Sequence, residues 1–177
     1  MRHRTMEELE AGLGEIRRSP EDEGVLELIV RRPEVGAREV LEEAMLDPAA
    51  GLAGDSWSTR GKPHPDMQLN IMNSRVLALV AQERDRWQLA GDQLILDLDL
   101  CADNLPPGSR LALGSAVIQV TDRPHTGCRK FAERFGWDAA KFVNSPLGRA
   151  LCLRGINARV VQTGMIRVGD VARKTGA

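Results

Sequence analysis

Residues 93–100 read QLILDLDL, with Leu94, Leu96, Leu98 and Leu100 on one face of an extended chain and Gln93, Ile95, Asp97 and Asp99 on the other. A period of two over eight residues is that of a strand, and it requires a second layer to cover the leucine face. The same signal recurs along the chain. VLELIVRRP carries branched residues on both faces and stops at Pro33. MQLNIMN alternates, with Met67, Leu69 and Ile71 opposite Gln68 and Asn70. LALGSAVIQVTD reads as two short strands hinged at Gly114, and NARVVQTGMIRVGDVAR as two more about Thr163-Gly164. Residues 36–55 have strand-like alternation at their start but helix-favouring Ala, Leu and Glu, and are read as strand. Many short strands separated by Gly and Pro turns imply a mainly β fold with short helices, an α+β barrel with helical decoration.

The helices are few. Thr5 and Glu8 have capping-box spacing ahead of Met6, Leu9, Leu13 and Ile16, so a short amphipathic helix is expected before Pro20. SRVLALVAQERDRW predicts a helix capped by Asn73 or Ser74. CRKFAERF predicts another that stops at Gly136, followed by one or two more, the last opened by Ser145 and Pro146.

The length of 177 residues suits one domain, taken as 1–177 with residues 1–20 appended to a core of about 24–173. Lys plus Arg number 24 against 25 Asp plus Glu, so no global charge points to nucleic acid or a membrane surface. No apolar run is long enough to span a bilayer, and the charged start MRHRTMEELE lacks the apolar core of a signal peptide. A cytoplasmic protein is therefore expected. Three cysteines with no C-x-x-C pattern argue against a disulfide framework.

The stretch with most chemistry is DRPHTGCRKF, residues 122–131. A thiol acts as its thiolate, so a working cysteine needs positive surroundings. Cys128 has Arg129 and Lys130 after it, Arg123 and His125 before it, and Gly127 to let the chain turn tightly. Three readings stay open: a reactive thiol, a metal ligand, or a small residue packed in a wall. Cys101 and Cys152 lie among leucines and read as packing. His64 and Asp66 stand before a strand, where barrel ligands often bind, and Asn104 suits either a ligand amide or an Asx turn.

Several elements in order resemble one family. These are GLAGD, then ADNL, then LALGSAVIQVTDRPHTGCRKF, then RGINARVVQTGMIRVGD. Together they resemble the MOSC domain, named after the C-terminal part of molybdenum cofactor sulfurase, across residues 24–173. The resemblance implies a barrel of the pyruvate-kinase-barrel type. It implies that Cys128 carries sulfur as a persulfide or ligates the molybdenum of a pterin cofactor, with His125 as catalytic neighbour. Asp55, His64, Asn104, Arg123, Arg129 and Arg154 would hold the anionic cofactor. The chain differs at Gly127, where better-studied members have Pro, at Asp103, and in the STRGKPHPD loop.

No lysine stands in a pyridoxal phosphate motif, and no flavin or iron–sulfur motif is present. A sulfur-donor or electron-transfer protein is therefore the expected partner, besides the small anionic ligand. Reduction of N-hydroxylated compounds is one activity the family implies. The alternative is a binding barrel without catalysis, or a metal-independent hydrolase or lyase using His64, His125 and Asp66.

Overall fold

The computed structural model describes residues 1–176. Seven strands close into a barrel. They are β1 (Glu23–Arg31), β5 (Leu69–Asn73), β6 (Leu94–Asp97), β7 (Arg110–Leu113), β8 (Ala116–Val120), β9 (Ile156–Gln162) and β11 (Val171–Thr175). Their order around the barrel is β1-β11-β7-β8-β9-β5-β6, and β6 returns to β1. Every pairing is antiparallel except β5 with β6, whose connection carries a helix as a parallel crossover requires. β1 is the longest strand. Val25 pairs with both Val171 and Asp97, while Ile29 to Arg31 also take up β2 (Glu39–Leu41). A separate sheet of β3 (Glu43–Asp47), β4 (Gly51–Leu52) and β10 (Gly164–Arg167) covers one opening. Its Leu46, Leu52 and Ile166 pack with the barrel interior.

The alternation read from residues 93–100 explains the layering. Leu94, Leu96, Leu98 and Leu100 are buried in the barrel interior. Ile95 points the other way into a second apolar cluster with Met72, Val76, Leu77, Phe131 and Phe135. The outer layer consists of α1 (Met6–Ala11), α2 (Leu13–Ile16), α3 (Ser74–Ala81), α4 (Arg129–Phe135), α5 (Trp137–Asn144) and α6 (Pro146–Ala150). Phe131 and Phe135 meet edge to face at 4.9 Å, a geometry worth about 0.5–1.5 kcal/mol beyond burial.

The caps form as the residue types require. Thr5 and Glu8 make the capping box. Asn73 accepts from Arg75 and Val76, and Ser145 from Gly148. The stretch from 36 to 55 is strand rather than helix.

Two details depart from the sequence reading. The helix expected over residues 74–87 ends at Ala81, because Gln82 turns to φ 68°, and residues 84–90 form a 3-10 helix. Met67 does not share the buried face of Leu69 and Ile71. It lies in a short 3-10 turn and is exposed, and Gln68 is buried instead. Gln68 earns that place by donating to the Pro48 carbonyl and accepting from the Val160 amide. Among the described residues no helix is long and apolar enough to cross a membrane.

Candidate functional site

The loop from β8 to α4 carries Cys128, and its backbone is held at both ends. The Thr121 amide donates to the Asn157 carbonyl, and the Asn157 side-chain amide donates to the carbonyls of Arg123 and Pro124. Asn144, at the end of α5, accepts from the Gly127 amide at 2.9 Å and donates to its carbonyl at 2.8 Å. A Cβ on residue 127 would come within 2.9 Å of Val143 and 3.1 Å of Asn144. The glycine is therefore needed for close packing on α5. Cys128 itself is exposed, at the position just before α4.

Cys128 lines a cleft of about 570 Å³ together with Arg32, Arg38, Arg60, Lys130, Arg134 and Arg154. Two of these cations are spoken for. Arg32 makes a buried two-pronged pair with Asp55, at 3.0 and 2.8 Å, and Asp55 also accepts from the Arg32 and Trp57 amides. Arg154 pairs with Asp92 at 2.7 and 3.0 Å. Burial alone would raise both carboxyls. Arg32 outweighs it at Asp55, and Arg154 with His125 outweighs it at Asp92, so both are held below the usual carboxylate range.

Among the described residues the other cations have no carboxylate partner. Arg134 donates to the Leu89 carbonyl and Arg38 to its neighbour's carbonyl. Both guanidinium groups lie against Gly91, where a Cβ would stand 3.2 Å from Arg38 and 3.8 Å from Arg134. Burial pushes the Arg38 guanidinium below its ordinary value, and repulsion from Arg134, Arg32 and Arg60 pushes the same way. The one acid on the wall, Glu133, pairs outward with Arg129 at 2.9 Å. The cleft thus holds positive charge in excess of what its own walls neutralise.

A second cavity of about 310 Å³ lies beyond Arg154 and is lined by His125 and Cys152 as well. His125 meets Asp92 through Nε2 at 2.8 Å. Gly155 makes this arrangement fit. Its φ is 109°, and a Cβ there would stand 2.2 Å from the Ile71 carbonyl oxygen and 3.2 Å from the His125 ring. A third cavity, about 340 Å³, adjoins the cleft through Arg32, Arg60 and Asn70 and includes His64 and Trp57.

The structure distributes the expected site residues unevenly. Cys128 and Arg154 share the cleft. His125 and Arg123 line the second cavity, so His125 serves Asp92 rather than the Cys128 sulfur. His64 lines the third cavity beside the Arg123 guanidinium. Asp55 supports the cleft from below through Arg32. Asn104 lines none of the three cavities. It bonds the Glu21 and Asp99 carbonyls and accepts from Lys174, which makes it a turn residue. Arg129 points to solvent. His64 Nδ1 accepts from the Asp66 backbone amide, but no bond among the described residues joins the side chains of His64, His125 and Asp66 to one another, since the Asp66 carboxylate lies by Arg159 and His125 by Asp92.

Arg32, Arg38, Arg60, Arg134 and Asp92 were not singled out by sequence. One local signal existed: Lys130 and Arg134 are four apart on α4 and so share a helix face. Among the described residues, no three His, Cys, Asp or Glu side chains gather to hold a metal ion by themselves.

The thiols differ sharply. Burial pushes Cys101 and Cys152 up, and Asp99 adds to the effect at Cys101, whose Sγ it accepts from at 3.3 Å. Iodoacetamide is therefore expected to label Cys128 at least about tenfold faster than either, because only thiolate reacts and only exposed sulfur is reached. Site-resolved mass spectrometry checks this; equal rates at the three cysteines would contradict it.

A closed seven-strand barrel with a cysteine loop on a basic cleft defines a class of small barrel domain. A family model described as the MOSC domain matches residues 55–173, about two thirds of the chain, and the protein belongs to that family. The barrel begins earlier, since β1 closes it. The family is associated with molybdenum cofactor binding or sulfur-related function. No curated protein matches the chain. Solved structures with the same fold include the YUAD protein from Bacillus subtilis, 17% identical over 88% of this chain and 97% of that one, TM-score 0.59. YiiM from Escherichia coli is 20% identical over 86% and 70%, TM-score 0.57. A hypothetical protein is 23% identical over 86% and 68%, TM-score 0.58.

Proposed function

We propose that the Cys128 cleft binds a molybdopterin-type cofactor and that the Cys128 sulfur is the group that acts on it or carries sulfur to it. The observation that carries this reading is the meeting of an exposed thiol with unneutralised cations in one cleft of about 570 Å³. The residues fit such a group. Arg38, Arg60, Lys130 and Arg134 suit its phosphate, since guanidinium groups bind phosphate oxygens through paired N–H donors. The cofactor, when bound, supplies the redox chemistry of molybdenum. The chain's own part is to position and to exchange. Asp55 and Asp92 fix Arg32 and Arg154 at the base of the cleft, and Asn144 fixes the loop that presents the sulfur.

In the carrier role, the Cys128 thiolate attacks the terminal sulfur of a donor protein's persulfide. The donor S–S bond breaks, the donor leaves as a thiolate, and Cys128 holds the persulfide. The exposure of Cys128 favours this role, because the sulfur must reach a second protein.

The test is reconstitution of the purified protein with the cofactor, followed by desalting and assay of molybdenum and pterin. Wild type is expected to retain both. Cys128→Ser is expected to retain pterin but lose most of the metal and to take up no persulfide sulfur. Failure of the wild type to retain pterin rejects the reading.

A further inference from the structure

The cations of the Cys128 cleft carry more donors than the protein itself uses. Arg38 donates to the Ala37 carbonyl, Arg134 to the Leu89 carbonyl and Arg60, through Nε, to Ser56 Oγ. The Lys130 ammonium has no partner among the described residues. Two N–H groups on the wall are orphaned outright: the buried Nε of Arg38 and that of Arg154, a residue only 6% exposed. A buried donor without an acceptor costs free energy, so neither guanidinium is satisfied by the protein alone. The other polar groups of the lining are already taken. Glu133 pairs outward with Arg129, Arg32 is held by Asp55, and Asn70 is bonded to Arg32 and Asn157. The rest of the lining is apolar side chains and glycine. The Cys128 sulfur thus shares its cleft with unpaired donors and no competing anion. It is exposed there, and Asn144 fixes the backbone behind it at Gly127.

We propose that this cleft takes a small thiosulfonate anion, with thiosulfate as the simplest member, and that Cys128 draws its sulfur from it. The sulfonate oxygens accept from the Arg38 and Arg134 guanidinium groups, whose paired N–H donors suit them. The Cys128 thiolate attacks the outer sulfur. A bond forms between the two sulfurs, the bond from the outer sulfur to the sulfonate breaks, and its electron pair leaves with sulfite. Cys128 is left as the persulfide anion, and no oxidant or reductant is consumed. The step brings an anion onto a dianion, so their repulsion opposes it in water. Arg38, Arg60, Lys130 and Arg134 offset that charge where the two meet. A donor protein's persulfide brings no such charge to the cleft, and these cations would not select it. The proposal rests on the reading of Cys128 as a sulfur carrier and needs no bound cofactor.

The experiment gives thiosulfate to the purified full chain without cofactor. It reads the mass of the Cys128 peptide, the sulfite released, and the thiocyanate formed when cyanide is added to take the terminal sulfur. Wild type is expected to gain one sulfur atom at Cys128, release sulfite in equal amount and turn over to thiocyanate. Cys128→Ser is expected to do none of these, and Cys101→Ser to behave as wild type. Sulfate, which has the charge and shape of thiosulfate but no sulfur to give, is expected to compete with it. Arg38→Gln and Arg134→Gln are each expected to raise the KM for thiosulfate at least about tenfold, since each removes a charged hydrogen bond. Uncharged iodoacetamide should label Cys128 in both variants at close to the wild-type rate, which separates lost anion binding from a damaged loop. No sulfur on Cys128, sulfur on Cys101 or Cys152 in its place, or an unchanged KM in both arginine variants overturns the proposal. Cofactor retention without transfer from thiosulfate also rejects it and leaves the cofactor reading standing. Transfer from thiosulfate without cofactor retention supports it and rejects only that other reading.

Discussion

Asp92→Ala is expected to destabilise the protein by about 3–5 kcal/mol, the usual cost of stranding one partner of a buried ion pair. Asp92 is 1% exposed and Arg154 6%. Without the carboxylate, the Arg154 guanidinium keeps the Ala90 carbonyl, a stacking contact with Phe131 at 4.9 Å and little else. Its Nε already lacks a partner, so the local loss has no second acceptor to soften it. Urea denaturation midpoints measure the effect, and a melting temperature drop of roughly 10 °C is the calorimetric equivalent for a chain of this size. Asp92→Leu combined with Arg154→Met should recover much of the stability, since removing both charges removes the stranded one. A loss below about 1 kcal/mol in Asp92→Ala would show that water reaches Arg154.

The same pair sets the acid limit. The carboxyls of Asp92 and Asp55 lie lower in the folded protein than in the unfolded chain. Their contribution is therefore complete above the unfolded carboxylate value, about 3.9. It is lost as pH falls from there through the lower folded values. Asp92→Ala should lose stability less steeply across that acid range than wild type.

The second large effect concerns charge. Arg38→Gln with Arg134→Gln is expected to weaken binding of pyrophosphate about 10- to 100-fold at low salt, since each charged hydrogen bond is worth about 1.5–3 kcal/mol and solvent takes part of that back. These two guanidinium groups converge on Gly91 with no acid between them. Burial chiefly, and repulsion from Arg134, Arg32 and Arg60 after it, lower the Arg38 guanidinium in the ligand-free protein. Arg38→Gln alone should then leave the empty protein as stable as wild type, or slightly more so, while weakening the anion. Such a trade marks a binding group rather than a structural one. Calorimetric titration at two salt concentrations checks both parts, with the double variant showing the shallower salt dependence. An unchanged affinity would remove these arginines from the site.

How far the sequence reached depended on the range of each signal. The helix caps at Thr5, Asn73 and Ser145 involve atoms three residues away or fewer, and all three form as read. The period-two leucines of 94–100 also settle their own face. Met67 and Gln82 broke the pattern where tertiary contacts outweighed it: a buried hydrogen-bonding position for Gln68 displaced the alternation, and the turn at Gln82 ended a helix whose composition would have carried it further.

Of the site, Cys128 with its loop was visible because its neighbours in sequence are basic. The division of that neighbourhood was not. Arg129 turns outward to Glu133, His125 turns to Asp92, and Asn104 bonds a turn.

By itself, then, the sequence determined the strands, the caps, the likeness to MOSC domains and the cysteine loop, since each depends on short-range pattern or on ordered motifs. The tertiary structure alone decided which charges are neutralised. Arg32 finds Asp55 across 23 residues and Arg154 finds Asp92 across 62. Arg38 and Arg134, from opposite halves of the chain, meet beside Gly91 with carbonyl partners and, among the described residues, no paired carboxylate. Those encounters exist because β1, β6 and β9 are built into one closed barrel, and no local pattern encodes the distance across it.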